Sequence, residues 1–283
     1  MLRRTSIHMI AVVLYLGLAA TALQAGSILY ANNASSGTPY IFAINPTTGM
    51  VMQTYTNLSG DNGRGVVVVG NIIYYTTAYN NHVYKESVGG ANLGVAFSVP
   101  GATGLSTMAY DGTNFYIGDY SGTNHVYKYS PSGQLLQTIS LSHCQDHCDG
   151  LEYFRMHGQG YLISNEFDGG SGGNMNYDLY YLDGTFIKTL FTATGYGGHT
   201  GIAFDGTDFF TANIQDNSFS EWDVNGTFLK TISLTGYGSD FPEMEDLSFD
   251  YSQVLSTPEP GTLVLMGTGF LGILGFGRRK FLL

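Results

Sequence analysis

The feature that most constrains the fold is an internal repeat. The stretches Gly104–Ser142 and His199–Gly236 share one order of parts: an apolar pair, an aromatic residue, Asp-Gly-Thr, further aromatics, a polar loop, and two alternating segments ending in Thr-Ile-Ser-Leu. A supersecondary unit that recurs at this length is typical of propellers and solenoids. The chain is therefore expected to consist of copies of one small β-unit.

The turn between the last two segments of the unit gives the number of copies. It carries a glycine where a hairpin needs positive φ, followed by apolar and polar residues in alternation. Five such glycines occur, at spacings of 41, 43, 51 and 42 residues: Gly49, Gly90, Gly133, Gly184 and Gly226. Units of four short strands at this period predict the blades of a β-propeller.

The two ends of the body complete this prediction. The first unit, from Ile28 to Tyr55, has room for only three strands, and the segment Glu245–Tyr251 matches the opening strand of another unit, Thr200–Gly206. If this last strand pairs with the first unit, the ring closes without a free sheet edge. We therefore expect an all-β, five-bladed propeller closed by its N- and C-terminal strands. An open β-sandwich or two small sheets would leave the orphan strand unexplained.

Composition agrees with an all-β protein and excludes one class of partner. Charged residues make up 12% of the chain, 39 residues are Gly, and 43% are apolar, which suits tight turns around a core. Between Gly26 and Thr257 there are 6 basic and 21 acidic residues, a net charge of −15. Such a surface repels phosphates, so no nucleic-acid partner is expected, whereas solubility or cation binding is favoured.

The N-terminus has the order of an export signal. Arg3 and Arg4 precede the short apolar run Met9–Ala20, and small residues follow at Ala22 and Ala25. The sequence therefore predicts a signal peptide cut by signal peptidase near one of these two alanines, with a permanent N-terminal anchor as the alternative. Export leads to an oxidising compartment, where cysteines pair.

The body, residues 26–253, resembles secreted β-propellers of the NHL and lactonase-like kind. The resemblance is one of pattern: the Gly-His and Trp-Asp features of WD40 blades do not recur from unit to unit, since Trp222 is the only Trp, and the glycine pairs of kelch blades do not recur in every unit. Propellers of this sort bind ligands at the mouth of the central channel, where the loops before the innermost strands converge.

Alignment of the opening strands indicates which side chains surround that mouth. Five residues take equivalent positions: Ser106, Asp149, Thr200, Glu245, and Arg64 or Gly65. Carboxylates around a narrow channel would hold Ca²⁺, which takes several oxygen ligands, but such residues also cap strands or bond neighbouring loops. The ligand or metal candidates are Asp149, Glu152, His199, Glu245 and Asp246.

The densest cluster of reactive side chains is the stretch Ser142–Glu152. In one interpretation Cys144 and Cys148 form a local disulfide, which their spacing permits and the compartment favours. In a second, the cysteines bind Zn²⁺ or copper with His143 and His147, although this packing is unlike the usual separated ligand pairs. In a third, a cysteine or histidine is catalytic, without a partner triad that can be read from the sequence.

The C-terminus has three parts in a fixed order. They are Pro258-Glu259-Pro260, the apolar run Gly261–Gly277, and the basic cluster Arg278-Arg279-Lys280. As a helix, the 17 residues of the run would extend about 25 Å, against about 30 Å for a bilayer core. Its glycines are tolerated in membranes, and the basic cluster would stay on the cytoplasmic side.

This tail closely resembles the PEP-CTERM sorting signal of Gram-negative bacteria. The resemblance implies processing by an exosortase near the Pro-Glu-Pro site, transient residence in the inner membrane, and a link to exopolysaccharide and biofilm production. The expected domains are a signal peptide at 1–25, the propeller at 26–253, a linker at 254–260, and a transmembrane sorting helix with its basic tail at 261–283.

Together these features predict an exported, surface-sorted propeller that acts as a non-enzymatic binding or matrix protein in the periplasm, at the outer surface or in the extracellular matrix. Its partners would be signal peptidase and exosortase during processing, then an exopolysaccharide or another surface protein. One alternative is a metal-dependent hydrolase or lactonase, with Ca²⁺ or Zn²⁺ held by Asp149, Glu152 and Glu245. Another is a purely structural matrix component.

Overall fold

The strands in the described part of the chain form five separate antiparallel sheets of four strands each. This architecture is seen in a computed structural model that describes residues 27–34, 40–58, 60, 62–119, 123–144, 148–166, 175–194, 199–237 and 243–255. The prediction of an all-β, five-bladed propeller is confirmed, and the described residues add one short helix to it.

Each blade runs from an innermost to an outermost strand. Blade 1 contains β20 (Met244–Ser248), β1 (Leu29–Asn33), β2 (Tyr40–Ile44) and β3 (Val51–Thr56). Blade 2 contains β4 (Gly63–Val69), β5 (Ile72–Thr77), β6 (His82–Ser87) and β7 (Asn92–Ser98). Blade 3 contains β8 (Leu105–Tyr110), β9 (Phe115–Asp119), β10 (His125–Tyr129) and β11 (Leu135–Ser140). Blade 4 contains β12 (Cys148–Met156), β13 (Gln159–Glu166), β14 (Met175–Tyr180) and β15 (Phe186–Ala193). Blade 5 contains β16 (His199–Phe204), β17 (Asp208–Asn213), β18 (Ser218–Asp223) and β19 (Phe228–Ser233). The helix α1 (Tyr251–Val254) follows β20.

The ring is closed by strands from the two ends of the body. The innermost strand of blade 1 is β20, which pairs antiparallel with β1; Tyr30 faces Ser248 and Ala31 faces Leu247. The innermost strands of all five blades contact their neighbours in the cyclic order β20, β4, β8, β12 and β16. The orphan strand of the sequence is therefore the missing strand of blade 1. Its pairing with β1 joins the two ends of the body and leaves neither strand with a free inner edge.

Hydrophobic clusters fill the spaces between neighbouring blades. Between blades 4 and 5, the ring of Phe191 stacks on Trp222 with 4.6 Å between centroids, beside the buried Phe154 and Phe209. Aromatic side chains bury about 150–250 Å² each, so contacts of this kind supply much of the stability. The space between blades 1 and 2 is more polar, because tyrosines take the place of phenylalanines there.

Each hairpin between the two outermost strands carries the predicted glycine. All five have positive φ, between 72° and 89°, which confirms the prediction. At Gly184 a Cβ would lie 2.2 Å from the carbonyl oxygen of Ser140 in the preceding blade. The N–H of Ser142 also donates to the Gly184 carbonyl at 3.1 Å. This glycine therefore serves both the turn and the close approach of two blades.

The two ends of the propeller differ in their connections. In blades 2 to 5, the turns from the innermost strand to the next have two to four residues. The connections at the opposite end, between blades and between the second and third strands, have four to ten residues. We name these ends the turn face and the loop face.

The helix α1 covers the centre of the turn face. Asp250 caps it by accepting a hydrogen bond from the Ser252 N–H, and the same carboxylate accepts from the Gly70 N–H of blade 2 at 2.8 Å. Leu255, directly after the helix, packs against the turn of blade 3 at Gly112. Nothing in the sequence pattern predicts this helix, which ties the end of the body to several blades.

Among the helices of the described part of the chain, none is long and apolar enough to cross a membrane. The predicted signal peptide at 1–25, the Pro-Glu-Pro triplet, the apolar run and the basic cluster all lie outside the described residues.

Candidate functional site

Every innermost strand carries a β-bulge at the same level, close to the loop face. The pairing register shifts there in all five blades. The bulged residues are Arg64–Gly65, Ser106–Thr107, Asp149–Gly150, Thr200–Gly201 and Glu245. A bulge re-aims side chains and bends its strand, so these five bulges define a ring of residues around the channel. The ring coincides with the positions that strand alignment indicates, with Arg64 as the charged member contributed by blade 2.

Arg64, Glu245 and Asp149 form the polar centre of this ring. The guanidinium of Arg64 makes an ion pair and hydrogen bond with Glu245 Oε1. Burial and the charge of Asp149 raise the pKa of Glu245 to about 8, against the opposing effect of Arg64. Burial also raises the pKa of Asp149. Because the charge of Asp149 contributes to the raised pKa of Glu245, ionisation of one carboxyl group disfavours ionisation of the other.

Asp246 fills the space just below this centre. Its Oδ2 accepts hydrogen bonds from the backbone N–H groups of Val66 (3.1 Å) and Met108 (3.2 Å) and from the hydroxyl of Thr107 (3.1 Å). Burial raises its pKa well above the usual range. A carboxyl group of blade 1 thus bonds to blades 2 and 3 at once. A Cβ on Gly201 of blade 5 would lie 2.3 Å from the Asp246 Cα, so the interior is packed at this level.

Glu152 lies nearer the turn face and binds the helix α1. It accepts hydrogen bonds from the Tyr251 hydroxyl, from the Tyr153 N–H at 2.7 Å and from the Phe204 N–H of blade 5 at 3.0 Å. Burial raises its pKa well above the usual range, despite these donors. Its hydrogen bonds hold blade 4, blade 5 and α1 together.

His199 lies at the start of the innermost strand of blade 5, and it is 6% exposed. Its Nδ1 is 3.2 Å from the Thr211 hydroxyl, which also accepts from the Trp222 indole N–H at 3.0 Å. Its backbone carbonyl accepts from the Asn165 side chain of blade 4. Burial lowers the pKa of His199, so the ring is neutral at pH 7. These contacts place His199 in a network between blades.

The cysteine-rich connection leads from blade 3 to blade 4. A disulfide joins Cys144 to Cys148, with 6.1 Å between their Cα atoms. The neighbouring His143 Nδ1 lies 2.5 Å from Asp178 Oδ2, and its ring contacts Phe186 with 4.3 Å between centroids. His147 lies outside the described residues. Within the described part, the histidine of this cluster is thus turned toward an aspartate of blade 4.

The carboxyl groups of the channel lie beside charges and hydrogen-bond donors of the protein itself. Among the residues that the structure describes, no group of three or more His, Cys, Asp or Glu side chains is placed to hold a metal ion. At the channel mouth the positive charge beside Asp149 and Glu245 comes from Arg64. The third expected ligand, Glu152, is engaged with Tyr251.

Sequence reasoning identified the acidic side chains of the ring but not the groups that compensate them. Arg64 is one of six basic residues in the body, and it stands between two glycines just before four valines. A charged residue at the start of such an apolar strand is the sequence feature from which a buried ion pair could have been predicted. The bonds of Glu152 with Tyr251 had no comparable signal, because Tyr251 lies in a helix that no periodicity predicts.

The tail of the chain matches a known sorting signal. The PEP-CTERM protein-sorting motif matches residues 256–280. The chain is therefore an exported protein, sorted through a membrane-anchored PEP-CTERM signal that exosortase processes, and its body is a five-bladed β-propeller.

Comparisons of the whole chain concern the fold. No curated protein matches the sequence significantly. Among solved structures, a chain of a nidogen/laminin complex is similar, with a TM-score of 0.56 and 11% identity, over 80% of this chain and 99% of that one. A protein of unknown function from Bacteroides caccae has a TM-score of 0.47 at 13% identity and covers 74% of this chain and 73% of its own. Glutaminyl cyclase from Myxococcus xanthus has a TM-score of 0.46 at 13% identity, over 61% and 70%. The first of these shows the propeller fold and nothing about ligands.

Proposed function

We propose that this protein is a non-enzymatic binding protein of the cell surface or extracellular matrix, which recognises an exopolysaccharide or another surface protein through its loop face. The observation that carries the proposal is the PEP-CTERM motif at residues 256–280. The motif follows Leu255, which lies at the turn face. The longer connections are at the opposite end, the loop face, where they remain available for binding.

The polar residues of the channel support a role without catalysis. Arg64, Asp149 and Glu245 compensate one another, Asp246 accepts three hydrogen bonds, and Glu152 is bonded to α1. A nucleophile or general base needs a free reacting atom within reach of substrate. Asp149 Oδ1, Glu245 Oε2 and Asp246 Oδ1 accept no hydrogen bond from any described residue, but these atoms are buried away from solvent. Buried groups that bond neighbouring blades are suited to holding the ring instead.

The surface charge narrows the class of partner. The body carries a net charge of −15, which disfavours polyanions such as nucleic acids and strongly acidic polysaccharides. Neutral or amino-bearing polysaccharides and basic protein surfaces fit this charge. On the loop face the side chain of Tyr79, which is 65% exposed, offers a ring on which a sugar can stack.

The processing route follows from the two ends of the chain. Signal peptidase would cut near Ala22 or Ala25, and the C-terminal run would hold the protein in the inner membrane until exosortase cuts near the Pro-Glu-Pro triplet. The released propeller would then reside in the periplasm, at the outer surface or in the matrix.

Binding to polysaccharide tests the proposal. The processed protein is mixed with exopolysaccharide from the producing cells, and the bound fraction is measured by co-sedimentation. Tyr79→Ala should weaken binding, whereas Tyr181→Ala, which removes an exposed tyrosine from an outer hairpin, should not. Absence of binding to every polysaccharide and every surface protein tested would refute the binding role and leave the structural one. Hydrolysis that stops on chelation would establish the metal-dependent enzyme instead.

A further inference from the structure

The position at which the described chain ends restricts how the protein can stand on a membrane. Leu255 is the last described residue, and it lies at the centre of the turn face against Gly112. Only the five residues 256–260 separate it from the apolar run that begins at Gly261. Even fully extended, a segment of that length reaches at most about 20 Å. The turn face therefore cannot move far from the bilayer while the run is inserted.

The N-terminal end of the body independently lies at the same face. The strand β1 begins at Leu29, which pairs with Ile44 at the end of β2. The next residue, Tyr30, pairs with Ser248, two residues before the cap of α1. The other apolar segment of the chain, Met9–Ala20, precedes this point in the sequence. Both apolar segments are therefore joined to the turn face, and neither to the loop face.

We propose that the turn face is a membrane-contacting surface: while the C-terminal run is in the bilayer, this face lies against the lipid headgroups and the loop face points away from them. The inference rests on the PEP-CTERM signal and not on the identity of any ligand. In this proposal the turn face contacts the lipid surface. Before processing, the loop face, which is the candidate binding face, points away from the membrane.

The chemistry of the turn face is compatible with contact to headgroups. Three acidic side chains near its centre have partners within the protein: Asp111 pairs with Lys128 at 3.1 Å, and Asp205 accepts from the backbone N–H groups of its own turn. Asp250 is occupied by α1 and by Gly70. Of these groups, Asp111 has its negative charge offset, by the ammonium group of Lys128.

The proposal also places the cleavage site. Pro258 is the third residue after Leu255, so the Pro-Glu-Pro triplet lies within about 10–20 Å of the turn face. Exosortase would then cut in the narrow space between the propeller and the bilayer. Cleavage removes the tether, and it would free the turn face from the membrane.

Depth-dependent quenching tests the orientation on the uncleaved full chain. The protein is reconstituted in vesicles of phosphatidylethanolamine and phosphatidylglycerol that contain a headgroup nitroxide lipid. Because the native cysteines are joined in a disulfide, a single added cysteine can be labelled with a fluorophore. Thr113→Cys and Asn71→Cys report on exposed positions of the turn face, and Tyr79→Cys reports on the loop face.

We expect several-fold stronger quenching at Thr113→Cys and Asn71→Cys than at Tyr79→Cys. A long Gly/Ser insertion after Leu255 should remove the difference, because a flexible linker allows the body to tumble. Equal quenching at both faces of the parent chain, or stronger quenching at Tyr79→Cys, would overturn the proposal. Two turn-face positions guard against a variant that fails to fold. The quenching experiment does not depend on polysaccharide binding, so a negative result would overturn the membrane orientation and leave the proposed binding function untouched.

Discussion

At the scale of single residues, one arginine compensates the acidic groups of the channel mouth. The side chain of Arg64 is 10% exposed and that of Glu245 is 2% exposed, so their ion pair is shielded from water and salt. Removing one member of a buried pair leaves the other charge without compensation, which destabilises more than removing both. The pair therefore matters more for the integrity of the ring than its single hydrogen bond suggests.

Because the pKa of Glu245 is about 8, its ion pair with Arg64 is fully formed only above that pH. At about pH 9 we expect Arg64→Met to lower the free energy of unfolding by about 2–3 kcal/mol, somewhat below the usual range for a broken buried pair, because Glu245 can then take up a proton. Urea unfolding measures this. The double variant Arg64→Met/Glu245→Gln should recover part of the loss. Arg155→Met, at an exposed arginine, is the control and should change stability by less than about 0.5 kcal/mol. An equal effect of the two single variants would show that the ion pair is dispensable.

Glu86 makes the stability of the ring depend on pH. It is 3% exposed, and its Oε1 accepts no hydrogen bond from any described residue. It lies beside Tyr55 and Tyr75 between blades 1 and 2. Burial raises its pKa from 4.5 to about 7. Between these values the folded protein holds a proton that the unfolded chain releases, so stability falls as pH rises through this window.

The variant Glu86→Gln removes this titration and keeps the shape of the side chain. We expect its stability, relative to the parent, to increase by about 1–2 kcal/mol as pH rises from about 5 to about 8. Urea midpoints of both proteins, measured across this range, give the difference directly. Because every other titrating group is shared, a pH-independent difference would mean that Glu86 is ionised throughout.

At the scale of elements, the outer hairpins separate two roles of glycine. Gly184 has φ of 89° and a close approach to Ser140, whereas Gly90 has φ of 83° and nothing within 4 Å of an added Cβ. Gly90→Ala should therefore lose only about 1–2 kcal/mol, which is the conformational term alone. Gly184→Ala should lose clearly more, because the blades must also move apart. Thermal unfolding of both variants measures the difference, and equal losses would contradict the packing role.

The disulfide between Cys144 and Cys148 closes a very short loop. On the chain-entropy account such a loop contributes only about 2 kcal/mol, so its effect is local. We expect no free thiol in the denatured exported protein and two after reduction, measured by thiol titration. Two free thiols before reduction would refute the disulfide.

The elements that the sequence predicts are those that repeat. Glycine hairpins and alternating strands recur in each blade, so their signal adds up over five copies, and the orphan strand could be matched to them. The helix α1 occurs once, over four residues, and has no period to detect. The pair of Arg64 and Glu245 joins positions 181 residues apart, and it depends on bulges in two strands. The positions of these bulges relative to one another are fixed only when the ring closes. For this reason the sequence predicted the acidic residues of the ring but not the pairing of Arg64 with Glu245.

At the scale of the whole molecule, closure of the ring and attachment to the membrane are carried by adjacent segments. The strand β20 closes blade 1, α1 follows after two residues, and the sorting motif begins at residue 256. Because Tyr251 binds Glu152 and Leu255 packs on the turn of blade 3, tension on the tail would be transmitted to the centre of the propeller rather than to one edge.

Two truncations test this division. A chain that ends at Leu255 lacks the tail but keeps β20 and α1, so we expect a folded, monomeric propeller. A chain that ends at Glu243 also lacks the closing strand, which leaves β1 as an unpaired edge and exposes the face of blade 5 on which Leu247 and Phe249 pack. Free edges pair with other chains, so the shorter protein should aggregate or unfold. Size-exclusion chromatography and near-ultraviolet circular dichroism distinguish these outcomes. A stable monomer that ends at Glu243 would mean that blades 2 to 5 fold without closure, and that β20 serves the tail rather than the ring.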